Sequence, residues 1–289
     1  MDRLVGRLVR FLLWTLAILP DAPALALARF YVRILDLCVP KLRRVGLRNA
    51  REIARMADPE AIVDGVFLTI ARSLVMFARL PRLNSQNISS VIRYEGLEHF
   101  QEAKRRGKGV LFATAHLGNW ELSAFAHGLM TEPMNVVVRP LDNRAVDDFV
   151  EARRQSGGNR TIAKKDAARQ ILRALKKNEA VGILIDQNVG LDEGVFIDFL
   201  GTPACAGTAF ARLAAHTGAA VIPGFALWNE GESRYVLKFY PLVAITGDAF
   251  EDTRRIHAVI EQVIREHPDQ WLWLHRRWKT RPPGEPSLY

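Results

Sequence analysis

Cysteine is scarce in this chain: Cys38 and Cys205 are the only two in 289 residues. They lie far apart and outside any paired motif, which excludes a disulfide framework and a cysteine zinc site, and both thiols are expected to be reduced and buried. No linker rich in Gly, Ser or Pro divides the sequence, and neither an internal repeat nor a low-complexity tract occurs. G-x-G-x-x-G, Walker A, H-E-x-x-H and RNA-recognition signatures are missing, and His99, His127, His216, His257 and His267 show no ligand spacing. No metal, no cofactor and no nucleic-acid partner is therefore expected. The apolar N-terminal stretch also lacks the roughly 20 unbroken residues that a bilayer-spanning helix requires, because Pro20, Asp21 and Pro23 cut it in the middle.

What is present has the composition of one compact domain, 49% hydrophobic and 25% charged. Lys and Arg outnumber Asp and Glu by 40 to 31, a net charge of +9 that suits an anionic surface, whether lipid, nucleic acid or an acidic protein. The first fifty residues concentrate it: Arg3, Arg7, Arg10, Arg29, Arg33 and four further basic residues face only Asp2, Asp21 and Asp36. The apolar run Phe11 to Pro20 and the residues Phe30, Tyr31, Ile34 and Leu35 lie among these charges. The pattern predicts two short amphipathic helices in residues 1–40 lying on an anionic membrane surface, with a signal peptide and a pair of core helices as the alternatives.

Residues 41–289 read as a single α/β body. Apolar positions from Val45 to Phe77 recur at helical spacing, broken at Asp58-Pro59. Beyond them, Gly109 to Thr114, Met134 to Val138 and Ala180 to Ile185 are short apolar runs of the kind that form buried strands, joined later by Ala219 to Trp228 and Tyr235 to Tyr240. Helical patterns at Trp120 to Met130, Arg144 to Gln155, Asp166 to Lys177 and Phe250 to Glu266 separate or follow them. This alternation predicts a central, mostly parallel sheet flanked by helices.

Directly after the first buried strand stands Ala115-His116-Leu117-Gly118-Asn119-Trp120-Glu121, a histidine at a strand's carboxyl end and a glutamate one turn into a helix. Open α/β sheets build their sites there. An imidazole is suited to remove a proton from an alcohol near neutral pH, and a carboxylate is suited to fix its tautomer. His116 as base and Glu121 as its orienter is the functional reading, while a hydrogen-bonded strand-end histidine and a helix-start glutamate is the ordinary one. The spacing alone favours the ordinary one.

The longer stretch Thr114 to Glu121 resembles the catalytic block of the late acyltransferases of lipid A biosynthesis, the lauroyl and myristoyl transferases. Val138-Arg139-Pro140-Leu141-Asp142-Asn143 is similar to that family's second block, Asp186-Gln187-Asn188 to its third and Gly194 to Ala204 to its longest. Trp271-Leu272-Trp273-Leu274-His275-Arg276-Arg277-Trp278-Lys279 is similar to its C-terminal signature, so five segments agree in order. The resemblance implies a glycerolipid-acyltransferase-like fold and a transfer of a fatty acyl group from acyl carrier protein to a hydroxyl of a membrane glycolipid, a lipid A precursor. The place implied is the cytoplasmic face of the bacterial inner membrane. It implies His116 and Glu121 as the catalytic dyad without a cofactor beyond the carrier's phosphopantetheine. Arg139 is expected at a phosphate, with Arg153, Arg154 and Arg160 extending that anion site and Asp186 orienting one of these arginines. The oxyanion donor is left open between Arg139 and the amides near Asn119. Arg276, among the aromatics Trp271, Trp273 and Trp278, is expected with them among lipid headgroups. Another lipid acceptor, a hydrolase and a non-catalytic basic binding protein on the same fold are the competing functions.

Overall fold

The computed structural model describes residues 2–289 and opens on a helical layer, α1 (Asp2–Ile18), α2 (Asp21–Cys38), α3 (Pro40–Arg48) and α4 (Pro59–Arg79). The break between α1 and α2 falls at Pro20, as the sequence predicts. Asp58 starts α4 by accepting a hydrogen bond from the Ala61 amide at 3.0 Å, and Pro59 takes the first helical position, where its missing N–H is no loss.

By length and composition the apolar segment Pro59–Arg82 could cross a membrane, yet α1 and α2 pack along it. Leu13, Leu16, Ala24, Ala28 and Val32 bury against Val63, Phe67, Ala71 and Val75, and Arg79 closes the joint through Asp21. The inner faces of the N-terminal helices are thus core, the alternative reading of this segment. Their outer faces are not: Leu4, Leu8, Phe11, Trp14 and Ile18 form an exposed stripe on α1, and Phe30, Ile34 and Leu37 form one on α2. Cys38, expected to be buried, ends α2 exposed, whereas Cys205 is buried.

The body follows as β1 (Ile92–Glu95), α5 (Leu97–Arg105), β2 (Val110–Thr114), α6 (Trp120–Met130), β3 (Met134–Val138), α7 (Arg144–Gln155), β4 (Arg160–Ala163), α8 (Ala167–Lys176) and β5 (Ala180–Leu184). A hairpin, β6 (Gly194–Phe199) with β7 (Thr202–Gly207), precedes α9 (Ala209–Thr217), β8 (Ala220–Asn229), β9 (Arg234–Phe239) and α10 (Ala249–Glu266). Seven strands form one sheet in the order β1-β9-β8-β2-β5-β3-β4, parallel throughout except for the antiparallel β8–β9 pair. The expected mostly parallel α/β fold is the observed one. β2 lies at its centre, with β5 on one side and β8 on the other, and the crevice beyond the carboxyl ends of these strands is where such sheets bind ligands.

Candidate active site

Register brings the first two functional groups together. β2 and β5 run parallel with Thr114 opposite Leu184, so two residues past each strand end His116 meets Asp186. The Asp186 carboxylate accepts from His116 Nδ1 at 2.9 Å, from the His116 amide at 3.0 Å and from Trp271 Nε1 at 2.9 Å. With Nδ1–H engaged by the carboxylate, the neutral ring has its unprotonated nitrogen at Nε2. Burial lowers the His116 pKa, but the charge and hydrogen bond of Asp186, aided by the charge of Glu121, outweigh it and hold it above its ordinary value. Burial conversely raises the Asp186 pKa, and His116 with the three donors outweighs that, so the carboxyl stays ionised below its usual range.

The loop that carries His116 is fixed by its backbone. Gly118 has φ +63°, and a Cβ there would fall 2.1 Å from the Ala226 carbonyl oxygen, so only glycine makes this turn. Its amide donates to Gln270 O and the Asn119 amide to Ala226 O, while Leu272 N returns a bond to His116 O. Asn119 is the cap of α6: its side chain accepts from the Leu122 amide at 3.0 Å.

A cavity of about 760 Å³ opens beside this loop, within the size range of small-molecule sites. Its exposed rim carries Arg139, Leu141, Asp142, Lys164 and Gln187, His275 lines it half-buried, and its inner wall is buried and apolar, with Phe112, Phe125, Met134 and Phe239. His116, Trp120 and Glu121 line it as well. Gly182 and Gly224 keep the interior open: a Cβ on Gly182 would meet Met134 Cε at 2.6 Å, and one on Gly224 the Phe239 ring at 2.8 Å. Among the apolar groups stands His127, bonded to Tyr94 Oη at 2.9 Å, whose pKa burial and the Lys104 charge push down to about 3, so it is a neutral ring.

A histidine paired with a carboxylate thus stands beside a cavity with a buried apolar wall, and the sequence comparisons bear on what such a site serves. The profile of bacterial lipid A biosynthesis acyltransferases matches residues 5–280. The chain belongs to that family. It is 26% identical over 232 residues to a lipid A biosynthesis acyltransferase of Haemophilus influenzae, covering 80% of this chain and 72% of that one. It is 32% identical over 200 residues to the lipid A biosynthesis palmitoleoyltransferase of Escherichia coli (68% and 64%). With the lauroyltransferase of the same organism it shares 30% over 197 residues (67% and 64%). Two of these three alignments thus span just under two thirds of the relative's length.

Several residue expectations need correction. Glu121 does not orient His116; it forms a forked ion pair with Arg154, whose Nε lies 2.9 Å from Oε2, because α6 and α7 pack side by side and present the two to each other. The orienting carboxylate is Asp186, which touches none of the arginines expected to be its partners. Arg153 donates to the carbonyls of Phe77 and Ala78, unpaired acceptors at the C-terminal end of α4, and stacks over Phe149, so it holds helices together and does not face the cavity. The Gly118 and Asn119 amides are consumed by carbonyls, and the Asn119 side chain is buried as a cap, so neither meets substrate. Arg276 lies over the Tyr289 ring, away from the cavity. Trp271, Trp273 and Trp278 are at most 1% exposed and belong to the core, not to a lipid surface. Arg139 does share the cavity with His116, but it is 81% exposed and its carboxylate neighbour is Asp142 at 3.6 Å. Arg160 pairs with Glu179.

Proposed function

We propose that this acyltransferase moves a fatty acyl chain from acyl carrier protein to a hydroxyl of a lipid A precursor at the cytoplasmic face of the inner membrane. The observation that carries the reading is the free Nε2 of His116, tautomer-locked by Asp186, at the edge of a cavity whose inner wall is hydrocarbon-like. The acyl chain lies between Phe112, Phe125, Met134 and Phe239, and the thioester rests beside His116. His116 Nε2 takes the proton of the acceptor hydroxyl as its oxygen attacks the thioester carbon. The resulting tetrahedral oxyanion collapses, the carbon–sulfur bond breaks, and the thiolate recovers the proton from the imidazolium. A thiol, with a pKa of about 8.5, leaves more readily than an alkoxide, so no separate strong acid is required. The reaction is read as using no cofactor beyond the phosphopantetheine arm of the carrier.

The same geometry supports the membrane placement proposed here. α1 packs against the start of α7 so tightly that a Cβ on Gly6 would lie 2.9 Å from the Ala145 Cβ. Ala145 follows the β3–α7 loop that rims the mouth, so the exposed stripe Leu4 to Ile18 and its arginines adjoin the entrance. A helix with an apolar face and basic flanks lies in the headgroup zone, where an embedded glycolipid can present its hydroxyl. Arg139 and Lys164 at the mouth suit phosphate on the acceptor or on the carrier's arm.

The test is mass spectrometry of the lipids formed when membranes carrying the protein receive acyl carrier protein loaded with mixed chains and a hydroxylated lipid A precursor. One added acyl chain, absent with His116→Ala, is the expected product. Free fatty acid alone, or acylation independent of His116, would overturn the assignment.

A further inference from the structure

His275 belongs to the C-terminal segment, yet it lines the same cavity as His116. Two ties bring it there. Leu272, whose carbonyl accepts the His275 amide at 3.4 Å, bonds through its own amide to His116 O at 2.9 Å. The His275 ring accepts at Nε2 from the amide of Asn188, two residues beyond Asp186, at 3.2 Å. A neutral imidazole that accepts at Nε2 must carry its proton on Nδ1. Burial, reinforced by the charges of Arg277, His116 and Lys279 against that of Asp186, keeps the ring's pKa below its ordinary value, which favours this neutral form. Nδ1 has no hydrogen-bond partner among the described residues and is not one of the side-chain atoms sealed from solvent without a partner. The result is a donor of fixed tautomer on a ring that lines the cavity and is tied through Leu272 to the backbone of His116.

The reaction needs such a donor. The Gly118 and Asn119 amides are already bonded to carbonyls, and Arg139 is exposed at the mouth beside Asp142. We propose that His275 Nδ1–H donates to the thioester oxygen as it becomes an oxyanion, making His275 a catalytic residue, with Asn188 N–H as the group that fixes its tautomer. The proposal rests on the acyl-transfer reading above. In the step itself the acceptor oxygen bonds to the carbonyl carbon, the carbonyl π pair moves onto oxygen and is met by Nδ1–H, and the proton removed by His116 later goes to the thiolate. His275 neither gains nor loses a proton.

Two substitutions separate this role from a purely structural one. His275→Asn can place an amide N–H near the position of Nδ1 but cannot reach Asn188, whereas His275→Gln can accept from the Asn188 amide but carries no donor at Nδ1. Acyl transfer is measured with acyl carrier protein bearing one saturated chain and a hydroxylated lipid A precursor, alongside thermal melting of each variant. His275→Ala is expected to lower kcat about a hundredfold or more with KM for both substrates little changed. His275→Asn should recover a substantial part of that loss and exceed His275→Gln. A Gln variant more active than Asn, or an Ala variant with wild-type kcat, would overturn the proposal and leave the oxyanion to the first-turn amides of α6. Absence of transfer in the wild-type protein would instead refute the acyl-transfer reading, so the two failures are distinguishable.

Discussion

Replacing Asp186 by Asn keeps the shape of the side chain and removes its charge. The carboxylate accepts three hydrogen bonds, from His116 N, His116 Nδ1 and Trp271 Nε1, and an amide has one oxygen to offer them. If its NH₂ turns toward His116, the ring must accept at Nδ1 and carry its proton on Nε2, where it can no longer serve as a base. Loss of a tautomer-fixing carboxylate from a histidine base lowers turnover by about 10⁴ in the best-studied triads, and a comparable loss is expected here. The pH dependence gives a second readout. In the wild type the acid limb of kcat/KM should lie above the ordinary 6.5, because Asp186 and Glu121 outweigh burial. In Asp186→Asn it should move down, since burial still acts and the main opposing charge is gone. Stability follows with opposite signs for the two partners. The raised His116 pKa contributes stability that is complete below 6.5 and fades as pH rises through the folded value. The lowered Asp186 pKa contributes stability present above its ordinary 3.8 and lost as pH falls through the folded value. The variant should therefore lose most melting temperature relative to wild type between these two ordinary values, and less at alkaline pH. Turnover within tenfold of wild type, together with an unmoved acid limb, would refute the reasoning.

Glu121→Gln should impair transfer less than Asp186→Asn, by at least about tenfold, because it acts on His116 through charge at a distance; steady-state kinetics of the two variants side by side decide it. Met134→Ala should enlarge the inner wall of the cavity and shift the products of a mixed-chain competition toward longer acyl groups, whereas Gly182→Ala should press on Met134 and shift them shorter, as read by lipid mass spectrometry. Phe11→Glu with Trp14→Glu places charges on the exposed stripe of α1 without touching its buried face, so binding to anionic vesicles in a flotation assay should fall while the melting temperature stays within about 3 °C.

Much of the framework was legible because it is written in periodicity. Trp120–Met130 and Arg144–Gln155 are helices with the bounds their patterns predict, and the apolar runs at 109–114, 134–138 and 180–185 contain the inner strands β2, β3 and β5. β1 and β4 escaped because four-residue edge strands such as Ile92-Arg93-Tyr94-Glu95 bury only one side chain each and leave no apolar run. His116 was legible from its place at a strand end. Its partner was misread because Glu121 is near in sequence while Asp186 is near in space, and only the parallel register of β2 with β5 joins them. A signal did exist: both residues stand just past an apolar run. The tryptophan cluster at 271–278 misled for a different reason. Interleaved arginines suggest a headgroup surface, but Arg277 is itself buried, donating to Cys205 O and stacked on Phe199, so the composition of that segment did not report its exposure.

The central claim, that His116 is held by Asp186 as a base with Nε2 free, is tested most directly by ¹⁵N NMR of the histidine rings across pH, with His116→Gln used to assign the signal. The expected spectrum shows a His116 ring that is Nδ1-protonated in its neutral form, titrating above 6.5 in wild type and markedly lower in Asp186→Asn. A neutral ring protonated on Nε2, or a titration that Asp186→Asn leaves in place while Glu121→Gln displaces it, would contradict the account.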